Sequence, residues 1–404
     1  MLDHAMIEEL ELRHLTQVDP GMSGAAVFQC EHSSGRGLIL RVWPAGMDVT
    51  RLAEVTRLMS EARIHLPDII PAIHPLDPSR FVTSLKLSDE IRTNRRSSGE
   101  RAPYLPQGEQ NLVIEGDSRT SVQRTSMVQR TSMVQRTSMV QRTSMSERSS
   151  WSHYGGRFWQ IMDRMPGRPL QIDCESSEIM QGVEVLRRVH DAFSWFGQRT
   201  EMPLAIRTRL RRLDEINRTL NYPIRFESTK YPHLGDTALV PSIARASLVW
   251  NREYSKMKRR CFMHLSRASS EPRVTQYVLR DIHRENLFFE GGNPSGLFDF
   301  DAARVDTPWT DLSRWIGSFV RGQPEDSLLW DEAVELFVGH HSGVSESEAE
   351  WGRCFVENLH EVSTWISLGN WLVWLIAEGR DFEVSSQVTA DRIDRLTHLV
   401  SCMD

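Results

Sequence analysis

Four polar residues that could bind a cation or move a proton lie within one short stretch of the chain. Asp281 and Asn286 are five positions apart, and Asp299 and Asp301 follow Asn286 in the same stretch. The apolar runs LFF and GLF lie between the asparagine and the two aspartates. A solvated acidic surface does not require such runs, so the pattern predicts polar groups at the ends of buried strands.

The two segments that contain these residues can pair as strands across a Gly-Gly-Asn-Pro turn. Pairing would bring Asn286 close to Asp299, and their amide and carboxylate oxygens are hard ligands that suit Mg²⁺ carrying phosphates. Asp281, one loop away, would act as a base or orienter for an attacking hydroxyl group, as in phosphoryl transfer. Two acidic surface turns are the alternative. This alternative is disfavoured because the D-x4-N pattern is followed, thirteen residues after the asparagine, by a D-x-D pattern with apolar flanks.

The first part of the chain predicts the elements that would position a phosphate donor. Residues 14–43 predict short strands, and residues 49–63 carry apolar side chains at helical spacing. Gly21, Ser23 and Gly24 lie in a predicted turn between the first two strands, where backbone N–H groups could cover phosphates. An ordinary hairpin turn is the alternative for this short glycine pattern.

A positive charge for the donor phosphates must come from arginine, because no lysine precedes Lys86. Arg41, in the third predicted strand, would supply that charge to the α- and β-phosphates. Glu54 on the following helix, or otherwise Glu61, would hold the guanidinium group. Alternatively, Glu54 and Glu61 would both be solvated residues on the helix surface.

The middle of the chain has a composition that cannot build a core. The hexapeptide VQRTSM occurs four times in tandem from Val122 to Met145, inside a polar segment of about 86–150. We predict a disordered insertion without a role in the chemistry, and an interaction tail is the alternative because the repeat is basic. The insertion falls in a nucleotide-binding lobe at 1–165, which precedes a helical lobe at 166–404.

The remainder of the chain predicts a strand at Phe158–Met162 and then mainly helices. Ser177 is the expected N-cap of the first helix, and His190 on its apolar face is expected to be a packed core residue rather than a ligand. The other predicted helices are at about 203–268, 312–320, 328–341, 346–378 and 388–403. A strand-rich lobe followed by a helical lobe with a strand pair predicts an α+β bilobal fold.

Composition excludes several classes of protein. The 404-residue chain has a formal net charge of -6 and a pI near 6.2, which argues against nucleic-acid binding by phosphate neutralisation. Its five cysteines have no metal-ligand spacing and are expected to be reduced thiols of a cytoplasmic protein. The beginning lacks the pattern of a signal peptide. The most apolar late stretch, 365–377, is shorter than the ~20 residues of a membrane span.

Two segments resemble the aminoglycoside/choline-kinase-like phosphotransferases, a branch of the protein-kinase-like fold. LRDIHRENLFF is similar to the family's catalytic loop, H-G-D-x-H-x-x-N, and GLFDFDAARVDTPWTDLSRW is similar to its metal-binding strand and the segment that follows. LRVWP, FWQIMDRMPG and VLRDI further resemble uncharacterised planctomycete-type members. The likeness spans nearly the whole chain except about 86–150.

The resemblance implies an enzyme that uses ATP and Mg²⁺. By position, Asp281 is the expected catalytic base, and Asn286 and Asp299 are the expected Mg²⁺ ligands, with Asp301 as a further candidate. Arg41 stands where the family has its ATP-phosphate lysine.

The resemblance also implies roles for residues around this centre. The segment from Asp163 to Met165 would be the hinge that meets adenine, and Asp311 would support the catalytic loop from a buried helix. Arg280 resembles the arginine of the protein-kinase loop. His283 would stabilise the transferred phosphoryl group, or it would be a loop histidine bonded to backbone.

The expected phosphate acceptor is a hydroxyl group of a small molecule. Only eleven residues separate Asp299 from Asp311, which leaves no platform for a peptide. Four acidic residues, Asp306, Asp311, Glu357 and Glu361, could line a site for a cationic acceptor, or they could lie on solvated helix faces. A non-catalytic pseudokinase is the alternative function, because the family's lysine and loop histidine are replaced. Neither a nucleic acid nor a membrane is expected as a partner.

Overall fold

The structure is a computed structural model. It describes residues 7–8, 10–18, 25–74, 152–154, 157–227, 231, 234, 238–268, 271–339, 346–380, 382 and 385–403. The predicted turn at Gly21, Ser23 and Gly24 and the VQRTSM repeat lie outside the described residues. The chain divides into two compact units. The first comprises Met1–Gly46 and His74–Ile161, and the second comprises Met47–Ile73 and Met162–Asp404.

The first unit is built on an antiparallel sheet. Its described strands are β1 (Leu12–Gln17), β2 (Ala26–His32), β3 (Gly37–Val42), β4 (Ile73–His74), β5 (Ser152–Tyr154) and β6 (Arg157–Asp163). The order is β1-β2-β3-β6-β4, and β5 pairs with β6. Apolar residues alternate along β2 and β3, because successive side chains of a strand point to opposite faces. The predicted succession of strands is therefore confirmed for the described residues.

The second unit contains the described helices. They are α1 (Val49–His65), α2 (Ser176–Ser194), α3 (Leu204–Thr219), α4 (Leu239–Ala268), α5 (Trp309–Gly317), α6 (Asp326–Gly339), α7 (Glu346–Leu372) and α8 (Ser386–Cys402). A wider π-helical turn, Val373–Ala377, continues α7. One hydrophobic core joins these helices and includes Trp250, Trp315 and Trp365, each nearly inaccessible to solvent. None of the helices in the described ranges is long and apolar enough to cross a lipid bilayer.

Two small sheets lie among these helices. Their strands are β7 (Arg168–Pro169), β8 (Arg199–Glu201), β9 (Arg273–Val278), β10 (Leu287–Glu290), β11 (Asn293–Leu297) and β12 (Arg304–Asp306). One sheet has the order β11-β10-β7 and the other β12-β9-β8. The chain reaches β7 through Gly167, whose φ is +90° and whose Cβ would lie 2.4 Å from the Phe289 carbonyl oxygen. Only glycine permits this approach of the two backbones.

Two details differ from the sequence prediction. The N-cap of α2 is Glu175 rather than Ser177, and the Glu175 N–H donates to the Glu178 carboxylate at 3.3 Å. Ser177 lies inside the helix, because the reciprocal contact between the glutamates starts it earlier. The second difference concerns the boundary between the two units. The main part of the second unit begins at Met162, whereas the sequence predicts a helical lobe at 166–404. The second unit also contains Met47–Ile73, which the sequence prediction assigns to the first lobe.

His360 on α7 should make the stability of the second unit depend on pH. Burial, together with the nearby charges of Arg314 and Arg395, lowers the pKa of His360 to about 4. The unfolded chain binds a proton near pH 6.5 and the folded chain does not, so stability is complete above about pH 6.5 and is lost as pH falls toward 4. We expect a loss of ~2–3 kcal/mol, measured by urea unfolding at pH 7.5 and pH 4.

The His360→Asn variant isolates this contribution. Gly317 packs closely against the His360 ring, because a Cβ added to this glycine would lie only 2.1 Å from Nδ1. A side chain smaller than histidine therefore fits at position 360. The variant should lose less stability between the two pH values than the wild type does. An equal loss in both proteins would show that other groups cause the pH dependence.

Candidate active site

Asp311, on α5, braces the loop that contains Asp281. Its Oδ2 accepts a hydrogen bond from the Leu279 N–H at 2.7 Å, and its Oδ1 accepts one from the Arg280 N–H at 2.6 Å. His190 Nε2 lies 2.8 Å from Oδ2, and both side chains are almost completely buried. Asp311 therefore supports the loop, and His190 is a packed core residue, as the sequence predicts for both.

Two residues in and after the loop adopt a backbone conformation that side chains disfavour. The φ angles of Arg280 and Asp299 are +67° and +62°, in the left-handed region. Such a conformation costs roughly 1–2 kcal/mol for a residue other than glycine and is concentrated at functional sites. The hydrogen bond from the Arg280 N–H to Asp311 holds this conformation in place.

Asn286 is fixed beside Asp281 by its own side chain. Its Nδ2 donates to the Asp281 carbonyl oxygen at 2.8 Å, and its N–H donates to the His283 carbonyl oxygen at 2.8 Å. The side chain is nearly buried, with 9% of the residue exposed. The amide oxygen Oδ1, which is the atom that could bind a cation, takes no part in these hydrogen bonds.

The register of β10 and β11 brings Asn286 and Asp299 to the same end of the strand pair. Leu287 is paired with Leu297, and the Phe298 N–H donates to the Asn286 carbonyl oxygen at 2.9 Å. Asp299 follows directly. The predicted pairing of the two segments is thus confirmed, although β11 ends at Leu297, before the D-x-D residues.

Arg314 contacts Asp281 and was not predicted from the sequence. Its Nη2 donates to Asp281 Oδ1 at 2.7 Å, and its Nε donates to the same atom at 3.2 Å. The Asp281 side chain is 44% exposed, so its other oxygen can meet a substrate. A signal did exist: Arg314 follows Asp311 by three positions on α5, which places both side chains on one helix face.

Arg51, on α1, ties down the segment that follows Asp299 and was also missed. Its Nη2 donates to the carbonyl oxygens of Asp301 at 2.6 Å and Ala303 at 2.5 Å, and only 8% of the residue is exposed. The Asp301 N–H in turn lies 3.3 Å from Asp299 Oδ1. The backbone of this segment is therefore held from two sides.

Glu54 is engaged within the second unit. Its carboxylate accepts hydrogen bonds from Arg51 Nη1 at 2.5 Å and from the Tyr277 hydroxyl at 2.6 Å. Arg41 lies on β3 in the first unit, 9% exposed, with its guanidinium carbon 4.1 Å from the centre of the Trp43 ring. The pairing of Arg41 with Glu54, and their role in binding phosphates, stay predictions.

The predicted hinge follows β6 directly. The Asp163 N–H donates to the Ala72 carbonyl oxygen at 2.9 Å, and Met165 packs on Gly296, where a Cβ would lie 2.5 Å from that of Met165. Ser295 Oγ donates to the Pro166 carbonyl oxygen at 2.8 Å. The segment is thus anchored on β11, and its contact with adenine stays a prediction.

His283 lies among the charges of the loop. Burial lowers the pKa of His283 and the charge of Arg314 adds to this, while the carboxylates of Asp281 and Asp299 act in the opposite direction. The imidazole is therefore neutral at neutral pH and can donate one hydrogen bond and accept another. Both predicted roles, contact with the phosphoryl group and a purely local bond, remain open.

The donors around Asn286 and Asp299 fit a magnesium ion that also binds substrate phosphates. Mg²⁺ is commonly bound by one or two protein oxygens together with phosphates and water. Within the described ranges, no group of three or more His, Cys, Asp or Glu residues is arranged to hold a metal ion.

Residues 151–334 match the phosphotransferase enzyme family. This segment contains the braced loop, the strand pair and α5. This match agrees with the resemblance to phosphotransferases that the sequence predicts. No curated protein matches the chain in sequence.

Solved structures of small-molecule kinases resemble this chain in fold, which confirms the protein-kinase-like α+β fold predicted from the sequence. Spectinomycin phosphotransferase, solved with ADP and spectinomycin, is 12% identical with a TM-score of 0.55, covering 100% of this chain and 97% of that one. Amicoumacin kinase, solved with AMP-PNP and Ca²⁺, is 9% identical with a TM-score of 0.52, covering 99% and 93%. The ethanolamine kinase of Plasmodium vivax is 9% identical with a TM-score of 0.51, covering 100% and 84%.

Proposed function

We propose that the protein transfers the γ-phosphoryl group of ATP to a hydroxyl group of a small molecule, with Mg²⁺ as the cation. The observation that carries this proposal is the loop braced by Asp311, which holds Asp281 and Asn286 next to the strand end that leads into Asp299. The match of residues 151–334 to the phosphotransferase family and the nucleotides bound to similar folds support it.

Each residue has a defined task in this reaction. Asp281 accepts the proton of the attacking hydroxyl group, and Arg314 fixes one of its carboxylate oxygens so that the other faces the substrate. Asn286 and Asp299 bind the cation, with Asp301 as a further candidate. A bound Mg²⁺ would neutralise charge on the phosphate oxygens. Arg41, Gly21, Ser23 and Gly24 are proposed to bind the donor phosphates.

The chain between Asp299 and Asp311 supports a small acceptor rather than a peptide. This segment consists of a turn, the short strand β12 at Arg304–Asp306 and the beginning of α5 at Trp309. Arg51 holds the carbonyl oxygens within it. The segment is therefore used for structure and offers no extended surface on which a peptide could lie.

The alternative function, a pseudokinase, rests on two replaced residues, and the contacts of the loop weaken the case made from one of them. The family's loop histidine is replaced by Leu279, but the Leu279 N–H is held by Asp311, so the loop is braced without that histidine. The other ground for a pseudokinase, the presence of Arg41 in place of the family's lysine, remains. Turnover of ATP distinguishes the two functions, because a pseudokinase would bind nucleotide without consuming it.

Thermal shift with and without cation tests the nucleotide site. Mg-ATP at 100 times its Kd should stabilise the wild type by about 2.7 kcal/mol, whereas ATP in EDTA should stabilise it less. Asn286→Ala and Asp299→Asn should each abolish the difference between the two conditions. Asn293→Ala, at the exposed first residue of β11, is the control and should behave like the wild type. Absence of any shift with millimolar Mg-ATP would refute the nucleotide site.

A further inference from the structure

Three arginines lie near two carboxylates, those of Asp281 and Asp306. They are Arg209 on α3, Arg280 in the loop and Arg314 on α5, and we call them the arginine cluster. Arg314 contacts Asp281 directly at 2.7 Å. Arg280 Nε lies 4.0 Å from Asp306 Oδ2, and Arg209 Nη1 donates to the carbonyl oxygen of Ala205, whose N–H donates to Asp306 Oδ1. Among the charges that act on Arg209, that of Asp306 has the largest effect, and those of Arg280, Arg314 and Asp281 follow.

Arg209 carries a charge that no nearby carboxylate in the described part of the chain neutralises directly. Its Nε donates to Ser363 Oγ at 2.9 Å and its Nη1 to the Ala205 carbonyl oxygen at 3.4 Å, and both acceptors are neutral. Burial lowers the pKa of Arg209 to about 10, so the group is still protonated at neutral pH. A partly buried cation with neutral partners is costly unless an anion joins it.

Asp306 compensates only part of this positive charge. It is 1% exposed, and burial raises the pKa of its carboxyl group. Its Oδ1 already accepts from the N–H groups of Thr307 and Ala205, and its Oδ2 lies 4.0 Å from Arg280 Nε. Three guanidinium groups thus share two carboxylates, of which one is buried and one is the catalytic base.

The acidic residues considered for a cationic acceptor are engaged elsewhere. Asp311 is buried and braces the loop. Glu357 pairs with Arg353 at 2.8 Å, and Glu361 pairs with Arg260 at 2.5 Å. Asp306 and Asp311 therefore lie neither on a binding surface nor on a solvated helix face, which corrects both alternatives for these two residues.

We propose that the phosphate acceptor is a small hydroxyl compound that carries an oxyanion, a carboxylate or a phosphate, and that Arg209, Arg280 and Arg314 bind this group. The inference rests on the proposed function and adds the charge of the substrate. Guanidinium groups match both anions, because their planar N–H groups can form two parallel hydrogen bonds. The anion would supply the negative charge that the arginine cluster lacks.

Binding to the full-length protein without nucleotide tests the acceptor charge independently of turnover. Calorimetric titrations would compare glucose, glucosamine, gluconate and glucose 6-phosphate, which share a scaffold and differ in charge. Gluconate or glucose 6-phosphate should bind at least tenfold more tightly than the neutral and cationic compounds, and which of the two binds more tightly identifies the anion. Equal or tighter binding of glucosamine, or no binding of either anion, would overturn the inference.

Variants then assign the binding to the cluster. Arg209→Gln and Arg280→Gln should each weaken anion binding tenfold or more, whereas Arg211→Gln, an exposed residue of the same helix, should leave it unchanged. With ATP present, the first two variants should raise the KM of the anionic acceptor far more than they lower kcat. If they raised the KM of ATP instead, the cluster would serve the donor, and the inference would be wrong. Nucleotide binding with a preference for cationic acceptors would refute the inference while leaving the proposed function intact.

Discussion

Replacing Asp281 with asparagine should lower kcat by about 10²–10⁴-fold, the usual contribution of a general base. Asparagine has nearly the same shape, and its amide oxygen can still accept the hydrogen bonds from Arg314 that Asp281 Oδ1 accepts at 2.7 and 3.2 Å. The loop should therefore keep its structure while losing the carboxylate that we propose takes the proton. The measurement is ADP formation with an acceptor found by a screen of small hydroxyl compounds.

Two controls separate this loss from general damage. Asp281→Asn should show the same rise in Tm with Mg-ATP as the wild type, because the proposed cation ligands are untouched. Asp191→Asn, on the surface of α2, should retain full activity. Equal turnover by Asp281→Asn and the wild type would exclude Asp281 as the base.

Replacing Asp311 with alanine should destabilise the protein by ~3–5 kcal/mol, the cost of removing one partner from a buried ionic or hydrogen-bonded group. The substitution leaves the N–H groups of Leu279 and Arg280 and the ring of His190 without their acceptor. Urea unfolding measures the loss of stability. Activity should fall with it, because nothing then holds Arg280 in its left-handed conformation next to Asp281.

Asp311→Asn is the informative companion variant. Asparagine keeps one acceptor oxygen but presents an amide N–H to the other donor. The Asp311→Asn variant should therefore be destabilised less than the alanine variant, and its kcat should still be lower than that of the wild type. Asp191→Ala, an exposed aspartate one residue after His190, should change stability by less than ~0.5 kcal/mol. If Asp311→Ala were as stable and active as this control, the brace would have no energetic importance.

The sequence predicts the central part of this site because its members are close in the chain. Asn286 and Asp299 are joined by a hairpin, and the apolar residues of that hairpin determine its register. Asp281 is fixed to the same hairpin by the side chain of Asn286. Local pattern and register are therefore enough to bring these three residues together.

The contacts from distant elements could not be predicted in the same way. Arg51 reaches Asp301 across 250 positions of the chain, and Arg209 belongs to a helix that the sequence shows only as polar. An arginine on an amphipathic helix is usually solvated, so its burial depends on how the helices pack. The burial of Asp306 and Asp311 likewise depends on how the elements of the second unit pack together, so it could not be predicted from local pattern alone.

The left-handed backbone at Arg280 has a consequence for how such enzymes diverge. Glycine, which the related catalytic loops carry before their aspartate, adopts this conformation without a Cβ penalty. Arginine retains the strain and brings a cation into this loop, 4.0 Å from Asp306 Oδ2. Homologues sorted by this one position should accordingly fall into classes that differ in the charge of the metabolites they phosphorylate.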